Sequence, residues 1–293
     1  MAATIPTRAE PISESTTHRR DPRHILINTI RHVIGDQGLD LAAALAFYAL
    51  MSMAPATLAL VSMLGVIGEA KSTTEAVLGL TAELSGEASD AIRPLVTELV
   101  STPAAGLTLI VSVIVAIWSS SKYVGAFSRA LNTAYGVDEG RPLWKLKPIL
   151  LLITLALLLL MAALGLLLVV SGPIAESLGR FVGLGPVALA IWSIARWPMV
   201  IFFVMLMIAI LYYTTPNVTR SKFHFSSIGA FVALILLIIV SLGFVIYINN
   251  FDSYNAAYGT IGGVIVGFAW VWMANLALIF GAELDAEIRR SRA

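Results

Sequence analysis

The chain has 293 residues, 58% of them hydrophobic and 13% charged. A soluble domain is about 45–50% apolar and about 25% charged. With a mean hydropathy of +0.86, this composition excludes a soluble enzyme and specifies a membrane chain. A net charge of +1 provides no bulk field to draw nucleic acid. The absence of cysteine removes disulfide frames, thiolate metal sites and cysteine nucleophiles. His18, His24, His32 and His224 are scattered, with no ligand pair at helical spacing. No metal and no cofactor is expected.

Residues 1–22 are polar, with Pro6, Pro11 and Pro22, and read as a disordered tail. Over 23–40, Leu26, Ile27, Ile30, Val33 and Ile34 recur at helical spacing. This pattern predicts an amphipathic helix, either in the membrane interface or packed on the protein's own surface. Six apolar stretches follow, at 42–67, 107–130, 149–171, 187–213, 226–249 and 261–283. A spanning helix needs about 20 mostly apolar residues, so each stretch predicts a span. Residues 41–290 thus form a six-helix transmembrane domain. Residues 72–101 differ: Leu80, Leu84, Ile92, Leu95, Val96 and Leu99 recur among acidic residues. They predict an extracytoplasmic amphipathic helical segment. The expected class is an all-α, polytopic membrane protein of six spans.

Charge placement orients it. With both termini cytoplasmic, fifteen of the nineteen Lys and Arg fall in inner segments. The outer segments hold Lys71, Arg93 and Arg180, and Arg196 falls within a span. This asymmetry follows the positive-inside rule and predicts a multi-pass protein of the bacterial cytoplasmic membrane with both termini inside.

Ionisable groups inside a bilayer are costly and are functional candidates by default. Arg196, in Ser193–Ile194–Ala195–Arg196–Trp197–Pro198, is the clearest, with a structural cation satisfied by freed carbonyls as its alternative. Lys122 and Arg129, with Arg141, Lys145 and Lys147, predict a basic inner vestibule suited to anionic lipid head groups or an anionic solute; topology signalling is the other role for each. Glu283 and Asp285 end the last span, where one would counter a cation of that cluster. Asn275 is mid-span, able to hydrogen-bond between helices or, with Tyr48, to line a substrate path. Asp40 precedes the first span, where an acidic group favours the helix dipole. Small residues mark candidate packing faces: Ala42 and Ala46 in the first span, then Gly259, Gly262, Gly263 and Gly267 in the last. Gly263 to Gly267 is a GxxxG, permitting close backbone approach within one chain or between two.

Asp40 to Pro55, including Phe47, Tyr48 and Ser52, resembles the opening of the YihY/BrkB family of bacterial inner-membrane proteins. Trp118–Ser–Ser–Ser–Lys122, Ala130–Leu–Asn132–Thr–Ala–Tyr135–Gly136–Val137, Leu211–Tyr212 and Pro216–Asn217 resemble it as well. So does the block Asn250–Phe251–Asp252–Ser253–Tyr254–Asn255, Tyr258–Gly259, Gly262–Gly263, Trp270 and Gly281–Ala282–Glu283. The resemblance covers most of residues 35–290. It implies six spans with both termini inside, and a virulence-associated or transport role. Some members also carry the label ribonuclease BN. A metal-dependent nuclease of that class needs a histidine–aspartate cluster, and this sequence presents none, so no enzymatic activity is expected.

The reading that follows is a transporter or lipid translocator for an anionic or amphiphilic substrate. Its partners would be membrane lipids, with anionic head groups on the inner cations, and no nucleic acid. The alternative is a non-transporting envelope scaffold, joined to a protein partner or to a second copy of itself.

Overall fold

The computed structural model describes residues 22–67, 105–169, 185–218, 227–250 and 252–291. The expected disordered tail (but for Pro22) and the amphipathic segment 72–101 lie outside the described residues. The described elements are seven helices: α1 (Pro22–Gly35), α2 (Gly38–Ile67), α3 (Ala105–Tyr135), α4 (Leu143–Val169), α5 (Pro186–Thr214), α6 (Ile228–Asn250) and α7 (Asp252–Arg290).

The helices α3 to α7 are each long and apolar enough to cross a membrane. α1 and the first part of α2 pass the same test only jointly, bent by 63°, which makes six spans when that pair is counted as one. The bend has a local cause. Asp36 N donates to His32 O at 2.8 Å and Gln37 N to Ile34 O at 3.3 Å, ending α1. Gln37 then adopts a φ of 55°, in the left-handed region that costs a side chain roughly 1–2 kcal/mol. Leu41 N donates to Gln37 O, and α2 begins with Asp40 in its first turn.

Hydropathy locates the spans, but the helices overrun them. α3 continues past the apolar stretch to Tyr135, and α7 runs from Asp252 to Arg290. At 1.5 Å per residue, the 39 residues of α7 extend about 58 Å, nearly twice the hydrocarbon thickness of about 30 Å. Its ends therefore project beyond the apolar layer. α3 closes on Gly136, whose φ of 62° lets Val137 N reach Asn132 O at 2.9 Å. That capping geometry favours glycine because no Cβ meets the carbonyl.

The chain runs up and down, so one end of the bundle gathers the starts of α2, α4 and α6 and the ends of α3, α5 and α7. α1 lies at this end, packed on α7 and α2. α7 packs on α6, α2 and α3, while α4 joins α3 to α5. The core joins Ala42 and Leu45 of α2 with Phe127 and Leu131 of α3, and with Ile208 and Tyr212 of α5. Ala230 and Ala233 of α6 and Ile279 and Ala282 of α7 complete it. Ala42 and Ala46 are fully buried. Exposed apolar side chains such as Ile114, Leu152, Ile194, Ile239 and Val264 cover the outside of the spans, as a lipid-facing surface requires.

Helix contact is closest between α6 and α7. A Cβ on Gly229 would collide with the Gly281 carbonyl and sit 2.7 Å from Asp285 Cγ. One on Gly281 would collide with Gly229 O and sit 2.7 Å from both Ala233 Cβ and Tyr212 Oη. The expected GxxxG behaves differently. Around Gly263 and Gly267 an added Cβ meets nothing within 4 Å among the described residues. Spacing marks only Gly263 and Gly267, whereas the crossing point of the helices falls at Gly229 and Gly281. The side chains at 252–262, and so Gly259 and Gly262 as packing positions, lie outside the described residues, together with those of Asn250, Tyr254, Asn255 and Tyr258.

Candidate functional site

Three polar constructions interrupt this apolar bundle. The first lies within the spans. Arg196 sits about a third of the way along α5. Its Nε is buried and has no hydrogen-bond partner among the described residues. Its guanidinium carbon is 5.3 Å from the ring centroid of Trp197. Lys122 on α3 is exposed, with its Nζ 4.7 Å from the Trp118 ring. Arg129, about two turns further along α3, is exposed too. Cation–π contact of this kind contributes about 0.5–2 kcal/mol, but it leaves the charge itself unneutralised. Among the described residues neither Arg196 nor Lys122 has a carboxylate partner.

Asn275 is buried and doubly engaged. It accepts a hydrogen bond from Tyr123 Oη at 2.8 Å and donates from Nδ2 to Val271 O at 2.8 Å. Tyr123 stacks on Phe127, and Phe127 on Tyr212, with centroids 6.2 and 6.3 Å apart. Tyr212 Oη donates in turn to Leu278 O. This aromatic ladder crosses from α3 to α5 and is tied to α7 at both ends. Tyr48 is half-buried against the core, edge-on to Phe47. No hydrogen bond or ring contact among the described residues joins Arg196 to Tyr48 or Asn275. Asn275 spends its hydrogen bonds on Tyr123 of α3 and on its own helix.

The second construction is a knot linking the α3–α4 loop to the end of α5. Arg141 donates from Nε to Glu139 Oε1 and from Nη2 to Glu139 Oε2, each at 2.7 Å, and from Nη2 to Thr215 O at 2.8 Å. Ser128 donates to the same Thr215 carbonyl at 2.8 Å. Asn132 donates to Glu139 Oε2 at 3.1 Å and accepts from Asn217 N at 2.8 Å. The hydrogen bonds from Arg141 hold the Glu139 carboxyl below its ordinary range, and the same bonds raise the Arg141 guanidinium. Arg141 therefore spends its charge on this knot. Nothing in the sequence singles out Glu139, because a lone loop carboxylate two residues from an arginine has no distinguishing pattern.

The third construction joins the two ends of the chain. Asn28 of α1 donates to Glu287 Oε1 of α7 at 3.0 Å. His32 Nε2 lies 3.8 Å from Glu287 Oε2, and Arg290 Nη1 lies 3.3 Å from it. Arg290 also donates to Ala134 O of α3 at 2.6 Å. Asp285 accepts from Gly229 N of α6 at 2.8 Å. Glu287 counters a cation here, and Asp285 fastens the α6 start. Glu283 is 2% exposed, and its Oε2 has no donor among the described residues.

The family model described as virulence factor BrkB matches residues 29–293. The chain belongs to the BrkB family. The BrkB-family chain is 29% identical over 256 residues to a ribonuclease-like protein, YfkH, of Bacillus subtilis, covering 87% of this chain and 92% of that one. It is 37% identical over 84 residues to a UPF0761 membrane protein of Alteromonas mediterranea, and 39% over 84 residues to one of Aeromonas salmonicida. These two alignments span 28% and 29% of the relatives' lengths. No solved structure matches. Among the described residues, no group of three or more His, Asp or Glu is arranged to hold a metal ion.

Proposed function

We propose that this BrkB-family membrane protein translocates an anionic amphiphile, a phospholipid in the first instance. It would do so in the cytoplasmic membrane with both termini inside. The carrying observation is Arg196, a cation within an apolar span whose buried Nε lacks a partner. Leaving a buried donor unmet costs roughly 1–3 kcal/mol, and more for a charged group. A charge at that depth is normally matched by a carboxylate, backbone carbonyls or a path. A lipid phosphate supplies the missing acceptors. Lys122 supports the reading, since it stands exposed on a spanning helix, with the Trp118 ring 4.7 Å from its Nζ. The orientation rests on the basic residues being gathered at the α1 end.

In this mechanism the head group exchanges water for Arg196, then Lys122, while its tails stay in the bilayer against the exposed apolar surfaces of α3 and α5. Purified protein reconstituted into vesicles carrying a fluorescent anionic phospholipid should speed its movement between leaflets. Arg196→Ala should remove most of that gain, and Arg196→Lys should keep part of it. Equal rates with and without protein would overturn the proposal.

A further inference from the structure

Glu283 presents a chemical contradiction that its neighbours do not resolve. Its carboxyl is 2% exposed, and Oε2 receives no hydrogen bond. Asp36, another carboxyl, follows His32 by one turn just past α1, as Glu283 precedes Glu287 by one turn of α7, and the contact of His32 with Glu287 sets the two carboxyls on facing sides. From α7 itself come Arg290 and Glu287. Arg290 is divided between Glu287 and the Ala134 carbonyl of α3. Glu287 is occupied by Asn28, His32 and Arg290. α6 contributes the Gly229 amide, which is spent on Asp285. Two ionised carboxylates can only accept, so Glu283 and Asp36 facing one another repel unless something positive lies between them. Among the described residues no three-carboxylate or histidine grouping is arranged for a metal ion. A proton needs no such shell; it turns two opposed acceptors into a donor and an acceptor.

We propose that Glu283 and Asp36 form a proton-binding site, holding one shared proton that docks α1 against α7. The balance is simple: with the proton bound the pair carries one negative charge and one short hydrogen bond. Release to water at the α1 end leaves two negative charges and no bond between them. α1 is then pushed from α7, carrying Thr29 and Val33, its buried residues, into solvent.

The absence of cysteine makes a clean test available. A single thiol is introduced at Val33, which is buried, and a separate one at Gly35, where nothing lies within 4 Å of an added Cβ. Each full-length protein is reconstituted and treated with a bulky maleimide, and the Val33→Cys rate is divided by the Gly35→Cys rate. The ratio should be low near about pH 6 and rise by up to about tenfold per pH unit once the proton begins to leave, the limit for one titrating proton. Glu283→Gln, which cannot lose the proton, should keep the ratio low and flat. Infrared titration should show a protonated-carboxyl band in the parent that Glu283→Gln lacks. If Glu283→Gln does not fold, Asp36→Asn on the peripheral helix gives the same reading. A ratio that ignores pH in the parent, or a pH dependence that survives in both variants, would overturn the proposal. So would a ratio set by sodium at constant pH, which would assign the site to a metal cation instead.

Discussion

Tyr123 of α3 donates its hydroxyl to the side-chain oxygen of Asn275 of α7, at 2.8 Å, inside the apolar part of the bundle. Membrane hydrogen bonds of this type contribute about 0.6 kcal/mol on average and up to about 1.7 kcal/mol. Tyr123→Phe and Asn275→Ala should each lower the unfolding midpoint in detergent. A double-mutant cycle should give a coupling energy within that range, since each change removes the same bond. If Asn275 instead lined the substrate path, Asn275→Ala would slow lipid movement while Tyr123→Phe would not. The expected outcome is that neither does.

The α6–α7 crossing predicts a strong position dependence for alanine. At Gly281 or Gly229 the new methyl group meets backbone on the facing helix. Overpacking of this kind costs about 1–3 kcal/mol. Gly281→Ala and Gly229→Ala should therefore unfold at markedly lower temperature than the parent. Gly263→Ala and Gly267→Ala should match the parent or exceed it, because glycine in a helix interior is about 1 kcal/mol worse than alanine. Equal losses at all four would show that the second pair is packed by something beyond the described residues.

Stability should fall on the acid side through Glu139. Its carboxyl is held below the ordinary range by the hydrogen bonds from Arg141. A depressed carboxyl contributes its stability above the unfolded-state pKa and loses it as pH drops through the folded-state value. The side chains are partly exposed, so the pair itself contributes under about 1 kcal/mol and weakens in salt. Melting temperature plotted from neutral to acid pH should decline, and Glu139→Gln should flatten the part due to this group. Arg141→Ala should cost more than Glu139→Gln, because it also removes a donor from the Thr215 carbonyl.

Gln37 provides a prediction of opposite sign. Its left-handed φ of 55° is tolerated by glycine without a side-chain penalty. Gln37→Gly should hold or raise the melting temperature, the relief of roughly 1 kcal/mol offsetting glycine's extra freedom when unfolded. A clear fall would mean that the Gln37 side chain makes a contact worth more than the strain.

Hydropathy made the spans legible because each needs only a run of apolar residues, and the stretches at 187–213 and 226–249 match α5 and α6 to within two residues. The helix ends were less legible. Asn132 to Tyr135 and Asp285 to Arg290 are polar, so an apolar count stops before them, yet both stretches stay helical because tertiary partners satisfy them. The polar constructions were read least well. Arg141 looked like one more cation of a basic loop until Glu139 and Thr215 claimed it. Asn28 and Glu287 are 259 positions apart, and no local pattern announces a bond between them. Arg196 was conspicuous for the opposite reason: a charge amid apolar residues needs no partner to be noticed.

The bond between Asn28 and Glu287 also sets an order of assembly. A chain entering the membrane from its N-terminus presents α1 first and the end of α7 last. While α2 to α6 are inserted, Asn28, His32 and Asp36 have no opposite number, and α1 must wait at the surface. The contact between α1 and α7 closes only once Glu287 has been made. Truncation by even one turn before Glu287 should therefore yield a protein that inserts fully yet never completes its closing contact.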